Sequence, residues 1–256
     1  MTAGAPNAKP PIFAANWKMN SGPTETRAFM RAFLARYARR PDRTVMFFPP
    51  ALTLAAVRDA LKERGDILVG VQNIHWEAKG AYTGENSAGI AKDAGATHVL
   101  VGHSERRHVF GETDEQSGRK VGAALAAGLI PMLCVGEKLD ERERGQTEAV
   151  VVRQLRAGLA NLANAQVATV IIAYEPVWAI GTGKTATPAD ASAVHVAIRG
   201  ELRRIAGDHG NALPILYGGS VNAQNVRALL DAEGVDGVLV GGASLDAEGW
   251  ATIVRS

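Results

Sequence analysis

TVIIAYEPVWAIGTGKTATPAD, residues 169–190, is the stretch that decides which α/β fold this chain adopts. TVIIAYE (169–175) is an apolar, β-branched run that predicts a buried strand, and Thr187-Pro188 has the form of a helix N-cap followed by the first helical residue. Between them, GTGKT (181–185) looks like the end of a nucleotide loop. A Walker-type loop would need glycine at position 178, where Trp178 stands. Gly181, Gly183 and Ala186 match a dinucleotide fingerprint on paper, but such glycines must open a helix directly off a strand. Here residues 175–180 intervene, and the helix starts only at Pro188. The acids farther on, Glu201 and Asp208, fall in or after that helix instead of at the end of a next strand. The stretch is therefore a strand, a long loop and a helix, and not a nucleotide cradle.

The same unit repeats along the chain. Candidate strands lie at 11–16, 44–48, 67–72, 97–102, 130–136, 169–175, 214–219 and 237–242. Segments of helical period separate them, near 24–40, 51–64, 86–94, 114–127, 147–163, 188–206, 222–231 and 246–254. Phe29, Phe33 and Tyr37, with Met30 and Leu34 beside them, form one apolar stripe. Gly65, Gly95, Gly128 and Gly207 stand at helix exits, where a left-handed cap is expected. Eight βα units without a linker predict a closed (β/α)8 barrel of eight parallel strands, with an open doubly wound sheet as the alternative that alternation alone permits. Residues 1–10 form a short polar tail, and 11–256 a single barrel domain.

Composition narrows the function classes. The chain has 256 residues, 46% hydrophobic and 21% charged, with formal charge +2. Mean hydropathy is near zero. That is a soluble globular balance, and no basic block suggests nucleic acid or a membrane surface. MTAGAPNAKPP (1–11) lacks the apolar core of a signal peptide, and a cytoplasmic location is the expectation. Cys134 is the single cysteine, which excludes an internal disulfide and a multi-cysteine zinc site. His103 and His108 are poorly spaced as two ligands on one face, so no metal is expected.

In such a barrel, chemistry belongs at the C-terminal strand ends. Ile12, Ala14, Asn16 and Lys18 share one parity on the first strand, which carries Asn16 and Lys18 up to the mouth. On the fourth strand Thr97, Val99 and Val101 share parity with His103 and Glu105, and are expected to face the interior. On the sixth, Thr169, Ile171 and Ala173 lead to Glu175. A cation, an imidazole and a carboxylate at one mouth are the parts for proton abstraction beside a carbonyl. Each residue alone is more often structural or solvated; together they point to a site. YGGS (217–220) and VGGAS (240–244) end the seventh and eighth strands, where glycines let backbone N–H groups approach an anion.

NWKMN (16–20), GHSERR (102–107), YEPVWAIGTGK (174–184), YGGSVN (217–222) and LVGGASL (239–245) resemble the triosephosphate isomerase family, in order and at the matching strand ends. The resemblance implies an intramolecular aldose–ketose isomerase that interconverts dihydroxyacetone phosphate and D-glyceraldehyde 3-phosphate without a cofactor. It implies Glu175 as the base, a neutral His103 as the electrophile and Lys18 as the cation that stabilises enediolate and phosphate. Asn16 would line the same pocket, and Glu105 would be an acid near Lys18. By the same resemblance Gly181, Ser220, Gly241 and Gly242 would hold the phosphate through backbone N–H groups. The loop after the sixth strand, with Pro176 at its root and Gly181 and Gly183 at its tip, would close over it. Ser21 stands where many members have glycine, and HWEAKG (75–80) is one version of a variable loop.

QNIHWEAKGAYTGE (72–85) is long for a βα loop, with Trp76 and Tyr82 expected to be exposed. Taken alone it fits a mobile surface loop. The family resemblance implies that it enters a neighbouring subunit, with Thr83 and Glu85 at the interface of a homodimer. Light scattering at micromolar concentration should therefore find a particle of two 26.9 kDa chains; a species of one chain only would overturn the dimer.

Overall fold

A computed structural model describes residues 9–160, 162–180 and 186–256. Eight strands alternate with helices: β1 (Ile12–Asn16), β2 (Thr44–Phe48), β3 (Ile67–Val71), β4 (His98–Val101), β5 (Ile130–Val135), β6 (Ile171–Tyr174), β7 (Ile215–Tyr217) and β8 (Gly237–Val240). Each pairs in parallel with the next, and β8 returns to β1 with Ile12 beside Gly237, closing the barrel. The open-sheet alternative is thereby excluded.

Two apolar layers follow from strand alternation. Ala14, Met46, Phe48, Leu100, Met132, Cys134, Ile171, Ala173, Leu216 and Leu239 fill the barrel interior. Phe13, Val45, Phe47, Val99, Val101, Ile172 and Val238 point outward into the larger core under the helices. On β1 and β6 the sequence parity therefore holds. On β4 it is reversed: Val99 and Val101 face outward, and Leu100 faces inward. His103 reaches the mouth because Gly102 adopts a left-handed φ of 67° between strand and helix and resets the alternation.

The aromatic stripe of the first helix (Pro23–Leu34) packs as its period predicts. Phe33 meets Phe47 of β2 edge-on at 5.3 Å, and Trp17 meets Phe29 at 4.8 Å. Such pairs contribute about 0.5–1.5 kcal/mol each beyond burial, and here they pin the chain on either side of the β1 exit.

The other helices follow the predicted segments with local differences. Segment 51–64 is a single 3-10 turn and a helix at Leu54–Ala60. Gly95, Gly128 and Gly207 leave their helices with positive φ; Gly65 does not, because its helix has already ended. Segment 147–163 is helical at Thr147–Leu159, ending where Ala160 turns to an extended conformation, and a short helix follows beyond it at Asn164–Val167. Segment 222–231 is helical only at Val226–Leu230, because the Asn222 side chain accepts the N–H groups of Gln224 and Asn225 and holds a turn. Two short helices, Ser104–His108 and Leu139–Glu143, carry too few turns to show a period in the sequence. The long helix begins at Pro188 with Thr187 capping it, as read from the sequence.

A Cβ on Gly237 would sit 2.2 Å from the backbone oxygen of Ile12, inside the closing seam. Gly237→Ala should destabilise the fold by about 1–3 kcal/mol, read as a lower Tm in thermal unfolding. An unchanged Tm would show that the seam yields.

Candidate active site

Asn16 is the last residue of β1, and its buried Oδ1 accepts the N–H of Lys18 at 3.0 Å. That bond holds Lys18 at φ 51°, a left-handed conformation that costs a non-glycine residue about 1–3 kcal/mol. Gln72 supports the same kink, donating from Nε2 to the carbonyls of Lys18 (2.8 Å) and Phe48 (2.9 Å). Ser21, in the position where glycine is common in the resembled family, also has positive φ, 67°. The kink turns the Lys18 side chain into the mouth, where Nζ meets Glu105 Oε1 at 2.6 Å.

His103 caps the short helix Ser104–His108. Its Nδ1 accepts the N–H of Glu105 at 3.2 Å, so the ring proton sits on Nε2. Nε2 in turn donates to Glu175 Oε1 at 2.9 Å. Burial pushes the His103 pKa down and the Glu175 carboxylate pulls it up, the carboxylate prevailing in this arrangement. The Glu105 N–H acts the other way, because it can bond only a ring whose Nδ1 is bare.

Glu175 follows β6 and is almost fully buried. Ser104 donates its N–H to Oε2 at 2.9 Å and its hydroxyl to Oε1 at 3.4 Å. Burial raises the carboxyl pKa, but His103, the Ser104 N–H and Lys18 outweigh it, leaving the group below its ordinary value and ionised. Space for it is made by glycine. A Cβ on Gly218 would lie 2.9 Å from Glu175 Cγ, and one on Gly136 would lie 1.7 Å from the Glu175 carbonyl oxygen.

Asn16, Lys18, His103 and Glu175 line one cavity of about 300 Å³ with Ile180, Leu239 and residues 218–221 and 241–243. Ser220, Gly241 and Gly242 line the same cavity, and Ser220 Oγ donates to Ala179 O at 2.8 Å. Gly241 lies against the Lys18 stem: an added Cβ would be 3.2 Å from Lys18 Cε. Gly181 lies outside the described residues. Glu105 is not on this wall; it reaches the cavity through Lys18 and lines an adjoining one of about 220 Å³. Thr83 and Glu85 are exposed on the 72–85 segment, away from this chain's own cavity. Trp76 is half-buried, contrary to the sequence expectation, because His75 stacks on one side at 4.2 Å and Arg119 lies over its ring at 4.4 Å.

Gln72, Ser104 and Gly136 escaped the sequence reading. Gln72 and Gly136 act on backbone atoms of other strands, which no local spacing reveals; Ser104 lies inside GHSERR and carried a signal that was legible but unused. Glu137 also escaped it. The Trp178 indole (2.9 Å) and the Tyr174 hydroxyl (3.2 Å) donate to its buried carboxylate, whose pKa burial raises. Among the described residues no group of three or more His, Cys, Asp or Glu could hold a metal ion. Burial lifts the Cys134 thiol well above its ordinary pKa.

Comparison with known proteins supplies the family. The triosephosphate isomerase family model matches residues 11–256. The chain is 49% identical over 246 residues to the triosephosphate isomerase of Roseiflexus sp. (strain RS-1), covering 96% of each. It is 50% identical over 246 residues to that of Herpetosiphon aurantiacus, covering 96% of this chain and 98% of the relative. The crystal structure of triosephosphate isomerase from Bartonella henselae superposes with a TM-score of 0.86 at 41% identity, covering 95% of this chain and 97% of that one. With the closed barrel and the residues at its mouth, these matches establish that the chain belongs to the triosephosphate isomerase family.

Proposed function

We propose that residues 11–256 form a catalytic barrel that interconverts dihydroxyacetone phosphate and D-glyceraldehyde 3-phosphate by proton transfer through an enediolate. The observation that carries this is the contact of His103 Nε2–H with an ionised, buried Glu175 at 2.9 Å, on the same cavity wall as Lys18.

The chemistry follows from what each group can give. Glu175 takes the proton from the carbon beside the substrate carbonyl, forming the enediolate, and returns it to the neighbouring carbon. His103 has one hydrogen to offer, on Nε2, and donates it to the carbonyl oxygen as charge develops there. In the free protein that hydrogen is engaged by Glu175. A substrate carbonyl that takes it over releases the carboxylate toward carbon, so binding and activation of the base are one event. Lys18 is aimed by its strained backbone at the same cavity and stabilises both the enediolate oxygen and the phosphate dianion. The wall formed by Ser220, Gly241 and Gly242 receives the phosphate on backbone N–H groups, and the segment after β6 closes over it and excludes water. Glu105 supports Lys18 and, through its N–H, the His103 tautomer.

A homodimer belongs to the same proposal. Met19 (96% exposed) and Phe110 (67%) border the cavity that adjoins the site, which is a large apolar surface to leave in water. The 72–85 segment of a second copy, carrying Thr83 and Glu85, would cover it. No helix among the described residues is long and apolar enough to cross a membrane; a cytoplasmic location is part of the proposal, supported by a single, buried thiol and a small water-soluble substrate.

A coupled assay with either triose phosphate should give turnover, and none above background would refute the function. Glu175→Gln should lower kcat by about two to four orders of magnitude; a near-normal kcat would require another base. The pH profile has a definite sign. Because the folded Glu175 pKa is lowered, the base stays ionised as pH falls below the ordinary glutamate value of 4.5. After correction for substrate phosphate ionisation near about 6, the acid limb of kcat/KM should lie below 4.5. A limb above that value would show that burial dominates instead.

A further inference from the structure

The parallel ladder between β4 and β5 starts with His98 beside Ile130 and runs to Val101 beside Leu133. The next pair in register would be Gly102 and Cys134, but Gly102 leaves the strand with its φ of 67°. Arg107, on the short helix that follows, bridges these two residues in place of the ladder. Its Nε donates to the Gly102 carbonyl at 2.7 Å, and its Nη2 donates to the Cys134 carbonyl at 3.2 Å. Nη1 donates to Asp114 Oδ1 at 2.5 Å, and Asp114 Oδ2 accepts from Arg153 Nε at 2.9 Å. The Arg107 side chain is only 6% exposed, and a Cβ on Gly102 would lie 2.6 Å from its Nη2.

Both bridged carbonyls lead directly to the reacting groups. The Gly102 carbonyl belongs to the peptide that carries His103. Cys134 pairs with Ala173 of β6, and Val135, the next residue, accepts the Glu175 N–H at 2.8 Å. We propose that Arg107 is a positioning residue for the isomerisation: by tying the Gly102 and Cys134 carbonyls together, it fixes the backbone of His103 against that of Glu175. This rests on the isomerase function proposed above. A guanidinium suits the task, because its rigid planar fork reaches two carbonyls and a carboxylate at fixed angles, which a single ammonium does not. Arg107 itself lies outside both cavities at the mouth, and Asp114 faces its charge, so it acts through geometry. The contact it holds in register is the 2.9 Å approach of His103 Nε2 to Glu175.

Two variants test this. Arg107→Lys keeps a charge beside Asp114 but cannot fork to both carbonyls, and Arg107→Met keeps the stem and removes every donor. Misplacement of reacting groups by about 1 Å costs about 10²-fold, so kcat should fall about tenfold in Arg107→Lys and about 10²-fold in Arg107→Met. KM and the inhibition constant of inorganic phosphate should stay within about twofold, since the phosphate wall is untouched. In protein labelled with 15N-histidine, the His103 Nε2 proton, assigned by its loss in His103→Gln, should shift in both variants. A merely structural role would leave that resonance in place. A kcat within about twofold of the unaltered chain in the folded variants, an unmoved His103 resonance, or a parallel loss of phosphate affinity would overturn the proposal. Arg107→Lys decides alone if Arg107→Met does not fold. Absence of turnover by the unaltered chain would overturn the isomerase function instead, and the His103 resonance would then decide the role of Arg107.

Discussion

Closure of β8 onto β1 is the constraint on which the rest of this molecule depends. A closed parallel sheet has no edge, so all eight C-terminal strand ends face one mouth, and inward side chains must fill the interior. Ala14, Met46, Leu100, Ile171 and Leu239 do so. Lys18, His103 and Glu175 come from strand ends far apart in sequence, and only closure brings them onto one cavity wall. Gly237 makes that closure possible by allowing the Ile12 backbone to approach.

At the mouth, backbone geometry decides the chemistry as much as residue type. Lys18 is aimed by a left-handed kink that Asn16 and Gln72 hold, and His103 by the positive φ of Gly102. The Glu105 N–H selects the histidine tautomer, and that tautomer presents a proton to Glu175. Glu175 remains ionised although buried, because one imidazole, one backbone N–H and one nearby ammonium together offset its desolvation. Removing any one of them weakens the hold on the Glu175 charge. Glu175, His103 and Lys18 therefore act on one another's charge.

Much of the barrel was legible locally. Each strand is a short apolar run, the helices between them have their own period, and Thr187-Pro188 marked the start of the long helix to the residue. Asn16 and Glu175 were legible as mouth residues because β1 and β6 keep strict alternation to their ends. His103 was assigned to the right place through the wrong parity, since one left-handed glycine resets the alternation and period cannot show it. Trp76 read as exposed because its cover, Arg119, comes from another helix.

By itself the sequence determined the number and order of the βα units, the apolar stripes, the caps and the five segments that identify the family. Those properties depend on residues near one another along the chain, where propensity and period act. Only the tertiary structure decided which neighbours Glu175, His103 and Lys18 have, which tautomer the histidine holds, and how Gln72 and Ser104 hold Lys18 and Glu175. Those are contacts between residues far apart along the chain, and hydrogen-bond direction and desolvation exist only once the barrel has closed around them.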